Sequence, residues 1–126
     1  GLGDVYKRQG LDMYIAKDEN GKLEEVAYFR KFNALHGYFD ERYYLDNPGK
    51  IKLDNNIVED VYDRLTKIIK APEKASELLP TYKGPFFGSY EYGDMYYYHI
   101  AEAFEVFHKL KQVNMDNENY YYMADY

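Results

Sequence analysis

The sequence predicts an α+β fold: a small antiparallel sheet, made of an N-terminal hairpin and a C-terminal strand, packed against about three helices. Three observations carry that prediction. Leu11-Asp-Met-Tyr-Ile-Ala16 opens with alternating apolar and polar residues and precedes an Asn20-Gly21 pair, the strongest short-range hairpin signal. Two later stretches, 57–69 and 95–111, repeat apolar residues at helical spacing. Tyr120-Tyr-Tyr-Met-Ala-Asp-Tyr126 has strand composition and can pair with the hairpin.

Taken in order, Leu23 to Ala27 is the returning strand of the hairpin. From Tyr28 the period changes: Tyr28, Phe29, Phe32, Leu35 and Phe39 recur at helical spacing and predict a first helix, with Gly37 weakening its last turn. Asp40 to Asn47 leads into the Asn47-Pro-Gly49 turn, and Ile51-Lys-Leu53 reads as a short extended piece. Asn56-Ile-Val-Glu59 resembles a capping box, opening a helix that buries Ile57, Val58, Val61, Leu65, Ile68 and Ile69 and ends before Pro72. Pro72 to Leu79 predicts a brief helical turn stopped by Pro80. A third long helix, capped by Asp94, carries Met95, Ile100, Ala103, Phe104, Phe107 and Leu110 on its core side. Between them lies Leu79–Tyr98, dense in aromatics, proline and glycine. A segment so apolar cannot sit in water as loose coil, so other elements are expected to fold around it.

Residues 1–9, Gly-Leu-Gly-Asp-Val-Tyr-Lys-Arg-Gln, resemble translated sequencing adapter. They are set aside as a scar outside the fold, on a gene fragment from bulk or environmental sequencing. Residues 10–126 then form a single α+β domain, too short for two. The formal charge is −6, and one unit more negative without Asp4, Lys7 and Arg8. Such a balance repels phosphate backbones and disfavours direct nucleic-acid binding. The chain has no cysteine, hence no disulfide and no thiolate metal site. No apolar run approaches the roughly 20 residues of a membrane span and no signal peptide is visible, so a cytoplasmic protein is expected. Tyrosine is the anomaly, at 17 residues with no tryptophan beside them. Its apolar ring and polar tip suit core edges and interfaces alike.

Two constellations stand out as candidate chemistry. Arg30, Asn33 and His36 lie at steps of three and would span about 120° of one helix. They offer a cation, an amide and an imidazole to an anion or carboxylate, with Ser89, Glu91 and Tyr92 contributed by the aromatic loop. The structural alternative leaves Arg30 solvated, Asn33 bonded to backbone and His36 at the core edge. His99, Glu102, Glu105 and His108 include one Glu-x-x-His pair, short of the two such motifs and two further carboxylates of a bundle metal site. They read as exposed residues of the third helix, so no metal and no cofactor is expected. There is no Gly-x-Ser-x-Gly, Ser89 has no visible base beside it, and Gly84-Pro-Phe-Phe-Gly88 lacks the ending of a phosphate loop. Glu91 and Asp94 could form an acid/base pair, but capping accounts for Asp94 more simply.

Several pieces together resemble a family of small proteins of bacteriophages, prophages and the bacteria that carry them. They are Gly10-Leu-Asp-Met-Tyr14, Val26-Ala-Tyr-Phe-Arg-Lys-Phe-Asn-Ala-Leu-His36, Glu77-Leu-Leu-Pro-Thr81, Phe86-Phe-Gly-Ser89 with Glu91-Tyr92, and the tyrosine-rich C-terminus. Members usually start Met-Gly-Leu-Asp-Met, which places the adapter boundary at Gln9/Gly10; Pro85 and Tyr90 depart from the family pattern. The resemblance implies no established activity. Tyrosine excess, negative charge and the lack of catalytic motifs lead to one expectation: a non-catalytic interaction module presenting an acidic, tyrosine-rich surface to a host or phage protein, with a homo-oligomer left open. The alternative is a small-ligand binder or enzyme built on Arg30, Asn33 and His36 with the aromatic loop. Convergence of those side chains on one concave pocket distinguishes the two.

Overall fold

The computed structural model describes residues 10–126, so the expectations for residues 1–9 lie outside the described residues. Strands β1 (Asp12–Glu19), β2 (Lys22–Arg30), β3 (Gly49–Lys52) and β4 (Tyr120–Asp125) form one antiparallel sheet in the order β2-β1-β4-β3. Helices α1 (Asn33–Tyr43), α2 (Asn55–Lys70), α3 (Ala75–Leu78) and α4 (Asp94–Leu110), with a 3₁₀ turn at Pro72–Lys74, complete an α+β architecture.

The hairpin follows from its turn. Glu19 pairs with Lys22, leaving Asn20 and Gly21 at φ of 55° and 83°. That is the left-handed geometry for which Asn-Gly is selected. Asp18 Oδ1 accepts from the Gly21 N–H at 2.9 Å and fixes the turn further. A register shift between Ile15 and Ala16 leaves Val26 without a partner in the ladder.

The returning strand differs from expectation by running past Ala27 to Arg30. Tyr28 and Phe29 belong to it, and the helical spacing they share with Phe32, Leu35 and Phe39 is coincidental. At a period of two, Phe29 enters the core while Tyr28 and Arg30 face the other side. There the Tyr28 hydroxyl and Arg30 Nη1 both donate to Asp12 Oδ1, the latter at 2.7 Å. The strand breaks at Lys31, which sits at φ 57°, and α1 begins two residues later. Arg30 therefore does not share a helix with Asn33 and His36.

Helix α1 is buried on all sides from Asn33 to Phe39. It runs through Gly37 because a Cβ there would lie 2.6 Å from the Tyr82 ring: the glycine makes room for the aromatic loop. Helix α2 is capped by Asp54, whose Oδ1 accepts from the Ile57 N–H at 2.8 Å, and not by the expected Asn56. Its core side matches expectation except for Ile69, which is 48% exposed. Gly93, not Asp94, occupies the N-cap of α4, and Met95 faces solvent.

The core lies between the sheet and the helices. Met13, Ile15, Phe29 and Tyr122 enter from the strands; Leu35 and Phe39 from α1; Val61, Leu65 and Ile68 from α2; Ile100, Ala103 and Phe107 from α4. Phe39 and Tyr122 stack with centroids 4.1 Å apart, joining α1 to the C-terminal strand. Leu65 and Ile69 share a helix but not an environment, and truncation should separate them. Leu65→Ala is expected to cost about 2–5 kcal/mol in urea denaturation, and Ile69→Ala no more than about 0.5 kcal/mol.

Candidate functional site

The aromatic loop, residues 79–93, is held to the body by two residues of α1. The Asn33 side chain is 3% exposed and fully satisfied. Its Nδ2 donates to the carbonyls of Phe87 (3.0 Å) and Ser89 (2.9 Å), while its Oδ1 accepts from the Tyr82 N–H at 2.9 Å. One turn on, His36 is 1% exposed, with Nδ1 2.7 Å from the Tyr122 hydroxyl. The rings of Tyr82, Phe87 and Tyr126 surround it. Burial pushes the imidazole below its ordinary pKa, and the Asp40 charge opposes this. Gly88, at φ 88°, lets the loop backbone pass close against Lys31.

Fixed in this way, the loop closes one end of a pocket of about 420 Å³ beside the edge strand β2. One wall is the end of β2 and its exit, with Tyr28, Arg30 and Lys31. The facing wall is α4, with Met95, Tyr98, His99 and Glu102. The loop adds Ser89 and Glu91. The Phe32 ring, stacked on that of His99 at 4.9 Å with an interplanar angle of 14°, gives the pocket an aromatic floor, and Tyr96 adds to it.

Of the residues singled out in the sequence, Arg30, Asn33, Ser89 and Glu91 line this one pocket. They are joined by fold, not by a shared helix face. His36 does not line it, being sunk in the aromatic cluster behind Asn33. Tyr92 packs outside it, against Tyr96, and its hydroxyl accepts from the Thr81 N–H at 3.1 Å. Asn33 follows the structural alternative, since its whole amide is taken up by loop backbone.

His99 and Glu102 were legible only as exposed helix residues, and here the structure differs. His99 is 8% exposed, with Nδ1 3.5 Å from Glu102 Oε1. Burial pushes its pKa below the ordinary value while Glu102 pulls it back up. The missed signal is positional: Tyr96, His99, Ile100, Ala103 and Phe107 follow the buried stripe of α4. A histidine oriented by a carboxylate can take up a proton on its other ring nitrogen. Ser89 is no evident partner for it: its Oγ accepts from the Glu91 N–H at 3.1 Å, and among the described residues no hydrogen bond links it to His99. Nor, among the described residues, does any group of three His, Asp or Glu lie placed to hold a metal ion.

No protein-family model, curated protein or solved structure matches the chain. Among the described residues no helix is long and apolar enough to cross a membrane.

Two outcomes follow from this geometry. Asn33→Ala strips partners from three backbone groups of the loop and should destabilise the fold by on the order of 3 kcal/mol. Hydrogen exchange should then rise in residues 82–89 before the sheet is affected. Both His36 and His99 titrate below their ordinary value of 6.5 in the folded state. The unfolded chain therefore binds protons first: the stability contribution is complete above about pH 6.5 and is lost as pH falls towards the folded values. Urea midpoints measured from about pH 7 down to pH 5 should decline, and less steeply in His36→Gln.

Proposed function

We propose that the protein binds a small ligand in the pocket between β2 and α4. One observation carries the reading: ionisable side chains from three separate stretches, Arg30 and Lys31, Glu91, and His99 with Glu102, line a single cavity with an aromatic floor. Its volume, about 420 Å³, lies in the range typical of small-molecule sites. Among the described residues these groups have no common structural task. Arg30 bonds Asp12, His99 meets Glu102, and Glu91 stands exposed on the loop.

The reading as an interaction module has support of its own. Phe86 and Met95 are 66% and 60% exposed, Tyr98 is 62% exposed, and Tyr90 and Tyr92 are partly so. All five belong to the loop or the first turns of α4, and Met95 and Tyr98 also line the pocket. A cytoplasmic partner protein of phage or host origin would bury that surface, while the chain's negative charge disfavours nucleic acid in its place.

Fragment screening by amide NMR separates the two. The ligand reading expects hits whose shifts cluster on Lys31, Ser89, Glu91 and His99. Tyr98→Ala should weaken them by about tenfold, while Tyr44→Ala, at a site 85% exposed, should leave them alone. Shifts scattered over the surface, or no hits at all, would sink the ligand reading.

A further inference from the structure

The charges of the pocket are sorted by element, cations at the exit of β2 and carboxylates on α4 and the loop before it, and the sorting points to a ligand class. Arg30 and Lys31 belong to the exit of β2, and their side chains converge. A Cβ built on Gly10 would lie 2.6 Å from Arg30 Nη2 and 2.8 Å from Lys31 Cε, so the two cations share one small region. Arg30 meets Asp12 through Nη1, and a guanidinium has five donors in all. Capacity therefore remains for a second carboxylate beside the lysine ammonium.

The carboxylates come from α4 and the loop before it. Glu102 stands on α4, seven residues and about 10 Å of helix rise beyond Met95. Glu91 lies just before the helix. The aromatic rings of Tyr96 and Tyr98 stand on the same helix, as an ammonium group prefers. The pocket as a whole does not suit an ion of a single sign. A phosphate or dicarboxylate drawn to Arg30 and Lys31 would meet Glu91 and Glu102, and a simple amine would meet the two cations. A molecule carrying both charges satisfies both groups, and the exposed apolar surface of Met95 and Tyr98, over the packed Phe32 and Tyr96 rings, asks that its remainder be apolar.

We propose that the pocket takes a small zwitterion with an apolar body, in chemical class a free α-amino acid with a large hydrophobic side chain. Its carboxylate sits on Arg30 and Lys31, its ammonium faces Glu102 or Glu91, and its side chain lies on the aromatic floor. The assignment of class rests on the pocket being a ligand site at all.

Two matched sets of probes test it by calorimetric titration of the full chain. One is L-phenylalanine with 3-phenylpropanoate and 2-phenylethylamine; the other is L-leucine with 4-methylpentanoate and 3-methylbutylamine. At least one amino acid should bind about tenfold or more tightly than both of its singly charged analogues, since each analogue lacks one charge-assisted contact. Lys31→Gln should then remove the advantage over the amine, and Glu102→Gln or Glu91→Gln the advantage over the acid, each with its unfolding midpoint unchanged. Equal binding of an amino acid and its deaminated analogue overturns the zwitterion. So does failure of all six probes while fragments still map to the pocket; in both cases the ligand site itself stands. If no fragment maps there, the site falls and the ligand class with it.

Discussion

One side-chain amide holds the candidate site together. Asn33 enters α1 immediately after the chain leaves the sheet, and its three hydrogen bonds all go to loop backbone more than forty residues on. Each bond satisfies a polar group that would otherwise be buried without a partner, which is costlier than the bond is favourable. The rest of the loop's conformation depends on that clamp. Gly37 clears space for the Tyr82 ring, and Gly84 clears space for Phe87, where a Cβ would fall 2.2 Å from the ring. His36 receives the same Phe87 ring from below and passes the contact to Tyr122 in β4. A loop rich in aromatics becomes a wall because α1 supplies a hydrogen-bonding clamp and an imidazole at one turn's separation.

The tyrosine excess has an explanation of the same kind. Among the described residues three tyrosine hydroxyls donate to carboxylates of other elements: Tyr28 to Asp12, Tyr38 to Asp60, and Tyr82 to Asp40. Two more donate to carbonyls around the 3₁₀ turn and α3, Tyr96 to Leu79 and Tyr97 to Pro72. With no cysteine and no tryptophan, the large residue with a polar tip does the joining, and it needs acceptors at the core edge. Burial, with the bonded carboxylate, pushes the Tyr28 phenol up to about 12. For Tyr82 the bond to Asp40 comes first and burial second, to a similar value. Tyrosine content and acidic charge thus reflect, to this extent, a single structural device, which leaves fewer tyrosines for a contact surface than composition suggests.

Much of this fold could be read in advance from short-range chemistry. The Asn20-Gly21 turn, the stop at Pro72 and the strand character of Tyr120–Asp125 each follow from local rules. Failures arise where two rules overlap. Tyr28 and Phe29 fit a helical stripe and a strand equally well by spacing, and the strand wins because Tyr28 and Arg30 both reach Asp12 across the ladder. Asp54 and Asn56 are both acceptable caps, and only backbone geometry selects the former. The site was half legible. The aromatic loop pointed to Ser89 and Glu91, while Arg30 and Asn33 were singled out by a shared helix face that the strand ending at Arg30 overturns. Nothing local shows that α4 would bring His99 and Glu102 against Phe32, because that contact crosses more than sixty residues of chain.

The residues around the pocket divide by how completely the protein itself satisfies them. Both polar atoms of the Asn33 side chain are bonded to the loop, Phe32 and Tyr96 are packed, and the Ser89 carbonyl is held by Asn33. These positions answer to folding, and changing them alters stability before anything else. Lys31, Glu91 and Glu102 differ: each stands at least partly in solvent, on the lip of a cavity whose floor is apolar, and Arg30 serves both ends through its pair with the buried Asp12. Exposed charges add little to stability, yet around a concave apolar surface they decide which ligand can replace water there. The floor and the lip therefore answer to separate constraints, so binding specificity can change at the lip without disturbing the clamp beneath it.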